Sequence, residues 1–149
     1  MVKNKHSILL TRICVYAFMA VDFACILGGY YVIKWFLSFS RAEIQGLFVP
    51  FAITAYSSAV LVTFVLFLLE KLLRNIDKDN VFIDQNVAII RICSWCCIGE
   101  AVICAISTVY YFPFIFLAVA AAFMGLILRV IKNVIEKAIE IKNENDLTI

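Results

Sequence analysis

Two acids and six cysteines stand out in this chain, because their chemistry does not match their surroundings. Glu100 sits in the stretch Cys96-Cys97-Ile98-Gly99-Glu100-Ala101, inside an apolar run from 92 to 128 that no other charge interrupts. Asp22 is the single charge between 13 and 33. Cys93, Cys96, Cys97, Glu100 and Cys104 recur at helical spacing, and Cys14, Phe18, Asp22 and Cys25 form a second stripe. Thiolates beside carboxylates can bind zinc or copper. The pattern is thin for that purpose: Cys-x-x-Cys lies within one helix, and the lone histidine, His6, precedes the first apolar run. The cysteines therefore read as small, weakly polar packing residues of the kind that let membrane helices approach closely. No metal and no cofactor is expected. The chain carries no phosphate-binding glycine loop, no nucleophile elbow and no His-Glu-x-x-His. It is not expected to be an enzyme.

The elements that hold these residues follow from composition. The chain is 64% hydrophobic and 16% charged, with a mean hydropathy of +0.99. Soluble domains average nearer half apolar and a quarter charged, and a water-soluble fold of 149 residues could not hide this much apolar surface. Uncharged stretches run from 44 to 69 and from 101 to 128. Runs of about 18 or more such residues read as transmembrane helices. The run near the N-terminus is too long for a signal-peptide core and contains Asp22, so an uncleaved first span is expected. The run from 92 to 128 exceeds one span and must turn at Tyr110-Tyr111-Phe112-Pro113. The expected architecture is all-α: a single domain over 1–149, with spans at about 10–33, 48–69, 88–109 and 114–131 in an up-down bundle. The fourth span is expected to continue beyond the membrane as an amphipathic helix over about 132–143, with Ile131, Val134, Ala138 and Ile141 at helical spacing.

Lys and Arg fix the expected orientation. Lys3, Lys5, Arg12, Lys71, Arg74, Lys78, Arg91, Arg129, Lys132, Lys137 and Lys142 fall at one side, with Lys34 and Arg41 at the other. This puts both termini in the cytoplasm. Tyr30, Tyr31, Trp35, Phe36, Phe48, Tyr110, Tyr111 and Phe112 gather at the opposite face, as an interfacial belt does.

In this arrangement Asp22 and Glu100 come to similar depth near the middle of the bilayer. A charged group there costs at least about 2.5–3.5 kcal/mol, so both acids are expected to face the bundle interior and meet each other. Tyr56, Ser57 and Ser58 of the second span are the expected hydrogen-bonding company, with Thr54 and Thr63 above and below.

On the cytoplasmic side, Asp77-Lys78-Asp79-Asn80 marks a turn, and Asn86 falls where an N-cap for the third span is wanted. The stretch Asn80–Ile92 and the closing Glu144–Ile149 resemble a family of bacterial four-helix membrane proteins collected under a domain of unknown function. Phe82, Asn86, Val87 and Arg91 match the family's loop and helix start, with Ile90-Arg91 where Leu-Arg is usual. Asp146, Leu147 and Thr148 match its tail. The resemblance implies a small protein of the bacterial cytoplasmic membrane, often encoded beside a short helix-turn-helix regulator. It implies a membrane partner for such a regulator; Phe82, Asn86, Arg91, Asp146, Leu147 and Thr148 are the candidate docking residues, the other reading of the loop being a well-capped helix entry with Phe82 anchoring it at the interface.

The function expected from these readings is a non-enzymatic membrane regulator or sensor that partners a cytoplasmic protein. The alternatives are a small transporter or proton-coupled exporter subunit, for which mid-membrane acids are the motive, and an immunity protein against a membrane-active peptide. Acids and bases are nearly balanced in loop and tail, so direct nucleic-acid binding is not expected. The lipid bilayer is the first partner, and a homo-oligomer is left open.

Overall fold

The computed structural model describes residues 2–39, 46–78 and 80–146, with side chains for 8–39, 46–78 and 80–145. Its elements are α1 (Val2–Phe39), α2 (Phe48–Asp77), α3 (Asp84–Ser107) and α4 (Phe114–Asp146), and no strand occurs among the described residues. All four helices are long and apolar enough to cross a membrane. Helices satisfy every interior backbone group within one segment, which is what a hydrocarbon environment demands. The chain is thus an all-α, multi-pass membrane protein.

Local chemistry sets the breaks. Pro50 sits in the first turn of α2, where its missing N–H costs nothing. α2 stops where the N–H groups of Lys78 and Asn80 turn back to the carbonyl of Asn75. Between α3 and α4 the chain reverses over residues 108–113. The N–H of Tyr111 bonds Ser107 and that of Phe114 bonds Tyr111, with Pro113 inside the turn as expected.

Three helices outrun the spans read from hydropathy, α1 at both ends. α2 continues to Asp77, and α4 passes from its apolar half into its charged half without a break, reaching Asp146. The amphipathic stretch over 132–143, expected to continue the fourth span, is the far part of one element of 33 residues, about 50 Å long at ~1.5 Å per residue. Hydropathy marks where the lipid ends, but the hydrogen-bond ladder has no reason to end there. Pairs along the helix face, Arg74–Glu70 at 2.8 Å, Lys132–Glu136 at 2.7 Å and Lys137–Glu140 at 2.6 Å, suit the extensions to water.

Successive helices pack antiparallel: α1 on α2, α2 on α3, and α3 most extensively on α4. No comparable packing joins α1 to α4 among the described residues. α3 is the most enclosed element, with Val87, Ile89, Ile90, Cys93, Ser94 and Cys104 buried. Its close approach to α4 rests on Gly125. A Cβ there would lie 3.0 Å from Ile98 and 3.2 Å from the Ser94 carbonyl, while the Ser94 hydroxyl donates to the Gly125 carbonyl at 2.8 Å.

At the end away from the termini, the aromatic residues divide into two groups. Phe36, Tyr110, Tyr111 and Phe114 ring Phe51 at centroid distances of 5.1–5.8 Å and tie α1, α2 and α4 to the turn that follows α3. Tyr31, Trp35 and Phe112 point outward, where a headgroup layer would meet them.

Candidate functional site

The register between helices decides what the acids meet. Along α1 and α2, the Tyr16 hydroxyl donates to Glu70 Oε1 at 3.3 Å, Asp22 meets Thr63, and Gly29 lies under the Tyr56 ring. Along α2 and α3, Thr54 meets Ser107, Leu61 lies over Gly99, and Asn75 meets Asn86. Glu100 follows Gly99, so it sits at the level of Leu61, two residues from Thr63. That places the two acids within about 3 Å in depth, since each helical residue rises ~1.5 Å.

Depth is where the agreement between the acids ends. Leu61 and Thr63 are about 200° apart around α2 at 3.6 residues per turn, so one faces α3 while the other faces α1. The structure does not join Asp22 and Glu100 in one cluster. Asp22 Oδ2 accepts from the Thr63 hydroxyl at 2.5 Å, and Thr63 itself leans on the Ala59 carbonyl. Glu100 Oε1 accepts from the Cys104 thiol one turn along its own helix at 3.3 Å, a weak bond. Its other oxygen, Oε2, is buried and has no hydrogen-bond partner.

The serines and tyrosine expected to solvate the acids do other things. Ser57 returns its hydroxyl to the Ile53 and Thr54 carbonyls. Ser58 makes no hydrogen bond to either acid. Tyr56 lies further toward the aromatic end, packed on Gly29 and lining a hollow with Cys25, Ile33 and Ala59. The buried hydroxyl cluster is instead Thr54, Ser107 and Tyr110, with Thr54 Oγ1 2.7 Å from Ser107 and 2.6 Å from Tyr110. Sequence reading set Thr63 at the edge of the acids' expected company, and the structure makes it the partner of Asp22. Counting from the helix ends would set Ser57 opposite Asp22, so the observed register, with Thr63 there instead, is offset along the axis and only packing decides it.

The cysteines are all free, and none contributes to a gathering of three or more His, Cys, Asp or Glu side chains that could hold a metal among the described residues.

At the end that carries the termini, Asn86 is 1% exposed and is not the N-cap. The cap position belongs to Ile83, and Asn86 stands in the first turn of α3. Its Nδ2 donates to the Asn80 carbonyl at 2.7 Å and to the Val81 carbonyl at 2.9 Å, and its Oδ1 accepts from Asn75 Nδ2 at 2.8 Å. One side chain thereby fixes the loop, the end of α2 and the start of α3. Phe82 at the loop's tip is half exposed. Arg91 reaches Glu136 of α4 at 3.5 Å, and Lys132 holds the same carboxylate at 2.7 Å, so the base of α3 is linked to the outer half of α4. Arg12 and Asp77 pair at 3.6 Å between α1 and α2. The side chain of Asp146, with Leu147 and Thr148, lies outside the described residues.

The matching family pattern spans residues 32–149, over α2, α3, α4, the loop with Phe82 and Asn86, and the tail. The chain belongs to the DUF2975 family, proteins of unknown function. The match takes in the Asn75–Asn86 lock, Glu100 and Thr63, and begins too late in α1 to include Asp22. No curated protein and no solved structure matches the chain.

Proposed function

We propose that this DUF2975 protein is a non-enzymatic regulator of the bacterial cytoplasmic membrane, with both termini in the cytoplasm and a small helix-turn-helix protein as its partner. One observation carries the reading. α4 runs unbroken from the aromatic end to Asp146 and is linked to the base of α3 by the Arg91–Glu136 pair. A shift of α4 within the membrane is therefore delivered to the tail without an intervening hinge, as a two-state signalling element requires. Beside the base of α3, the Asn86 lock holds the loop with Phe82 half exposed at its tip. In this reading the loop and the outer half of α4 are the two parts of one docking surface.

The alternative, an exporter subunit, is favoured by the partnerless oxygen of Glu100. Transporter sites of that kind are commonly built from broken helices, whereas α3 is continuous through Glu100. That difference ranks the regulator first.

The test is purification of the full chain from membranes, with and without residues 144–149 and with Phe82→Ala. The regulator reading expects a small helix-turn-helix protein to co-purify and to be lost in both variants. Retention of that protein in both variants, or proteoliposome flux abolished by Glu100→Gln and untouched by the tail deletion, would overturn it.

A further inference from the structure

We infer that Arg129, held over the ring of Trp95, is the centre of a binding site for the headgroup phosphate of an anionic phospholipid. The apolar run of the α3–α4 hairpin lies between Arg91 and Arg129. Those two residues therefore stand where hydrocarbon gives way to headgroups, at the end that carries the termini. Packing brings them together. Ser94 meets the Gly125 carbonyl, and four residues on from that contact Arg129 is level with Ile90. Arg91 and Arg129 then differ by about 1.5 Å in depth.

They also share a side. Arg91 and Trp95 are one turn apart on α3, and Arg129, Lys132 and Glu136 follow at i, i+3 and i+7 on α4. Two contacts cross between the helices here. The Arg129 guanidinium carbon lies 4.7 Å from the Trp95 ring centroid, and Arg91 reaches Glu136 at 3.5 Å. Lys132 holds the same carboxylate at 2.7 Å. Three cations thus share one acid, and Arg129 is the one it does not answer: Arg129 makes no ion pair among the described residues. Both Arg129 and Trp95 are exposed.

An aromatic face attracts a guanidinium and holds it in place, and its charge remains unneutralised. The planar fork of that group matches a phosphate, to which it can give two parallel hydrogen bonds. A zwitterionic headgroup would bring its own cation to a patch already in positive surplus, so a lipid of net negative charge is the better complement. Trp95 is at the depth where an indole ring suits a membrane interface. Deeper along the same stripe of α3 lie Val102 and Ile106, and Leu126 lies one turn deeper than Arg129 on α4. All three are exposed and offer an apolar track to the acyl chains.

The experiment uses the full chain in phosphatidylcholine vesicles with brominated phosphatidylglycerol as probe, read by quenching of tryptophan fluorescence. Trp35→Phe leaves Trp95 as the only tryptophan, and Trp35 is exposed at the opposite end, so the exchange should be tolerated. Quenching is normalised in each variant to the unbrominated lipid of the same headgroup. Phosphatidylglycerol is expected to be preferred to phosphatidylcholine beside Trp95 by about fivefold or more, the scale of one cation at a membrane surface. Arg129→Gln should bring the preference below about twofold on that scale, with the thermal melt unchanged. Arg129→Lys, which keeps the charge without the fork, should fall between the two. Lys71 is the control. It is exposed on α2, and the Asn75–Asn86 contact puts it level with Ile90, at the depth of Arg129. Lys71→Gln should leave the preference largely intact. Absence of any preference in the Trp35→Phe background would overturn the site outright. An Arg129→Lys variant equal to that background, or Lys71→Gln as impaired as Arg129→Gln, would overturn it in favour of diffuse surface charge.

Discussion

Asn86 offers the sharpest test of how the loop is held. The side chain makes three hydrogen bonds, two as donor to the Asn80 and Val81 carbonyls and one as acceptor from Asn75. At a net ~0.5–1.5 kcal/mol each, Asn86→Ala removes about 2–4 kcal/mol. Asn80 is exposed, so water can replace part of what its carbonyl loses, and about 2 kcal/mol is the better expectation. Asn86→Asp separates the geometry from mere polarity. A carboxylate still accepts from Asn75 but turns an acceptor oxygen toward two carbonyls that now receive nothing. Its charge in the first turn of α3 gains only about 0.3–1 kcal/mol from the helix dipole, which is less than two lost bonds and an added repulsion. The aspartate variant should therefore be at least as unstable as the alanine variant. Reversible denaturation in mixed micelles measures both, and hydrogen exchange at residues 80–83 should quicken in both. An aspartate variant as stable as wild type would refute the reasoning, because the amide would not then be acting as a double donor.

Other substitutions test the remaining contacts. Thr63→Val strips Asp22 of its donor and should cost about 1–3 kcal/mol in the same denaturation assay. Asp22→Asn keeps an acceptor for Thr63 and should cost much less. Gly125→Leu forces a side chain against Ile98 and the Ser94 backbone and should destabilise the α3–α4 pair by about 1–3 kcal/mol. Gly28→Ala, where a Cβ meets nothing within 4 Å, serves as its tolerated control in thermal melts. Arg91→Ala breaks an exposed pair with Glu136 and should leave the melting temperature unchanged. If the pair links α3 to the outer half of α4, the distance between labels at the exposed positions 88 and 133 should nonetheless broaden in that variant.

Much of this protein follows from the chain read alone. The apolar runs dictate helices that cross a membrane, because no other segment can pair its backbone groups in lipid. The turn at 110–113 follows from length and from Pro113, and the matched depth of Asp22 and Glu100 follows from their distance to the span ends. These are properties of position along one axis, and a sequence encodes that axis directly. Azimuth is another matter. Which side of α2 faces α1, and which faces α3, depends on how all the helices settle against one another, and the helices here are apolar on nearly every face, so periodicity points nowhere in particular. Packing alone set Asp22 against Thr63, left Glu100 with a thiol and a bare oxygen, and drew Asn86 inward from the cap position to become the clasp of the loop. The continuation of α4 past its apolar half, by contrast, was legible in the helical spacing of Ile131, Val134, Ala138 and Ile141. Hydropathy records where the solvent changes, while a helix ends only where its hydrogen bonds find something better to do.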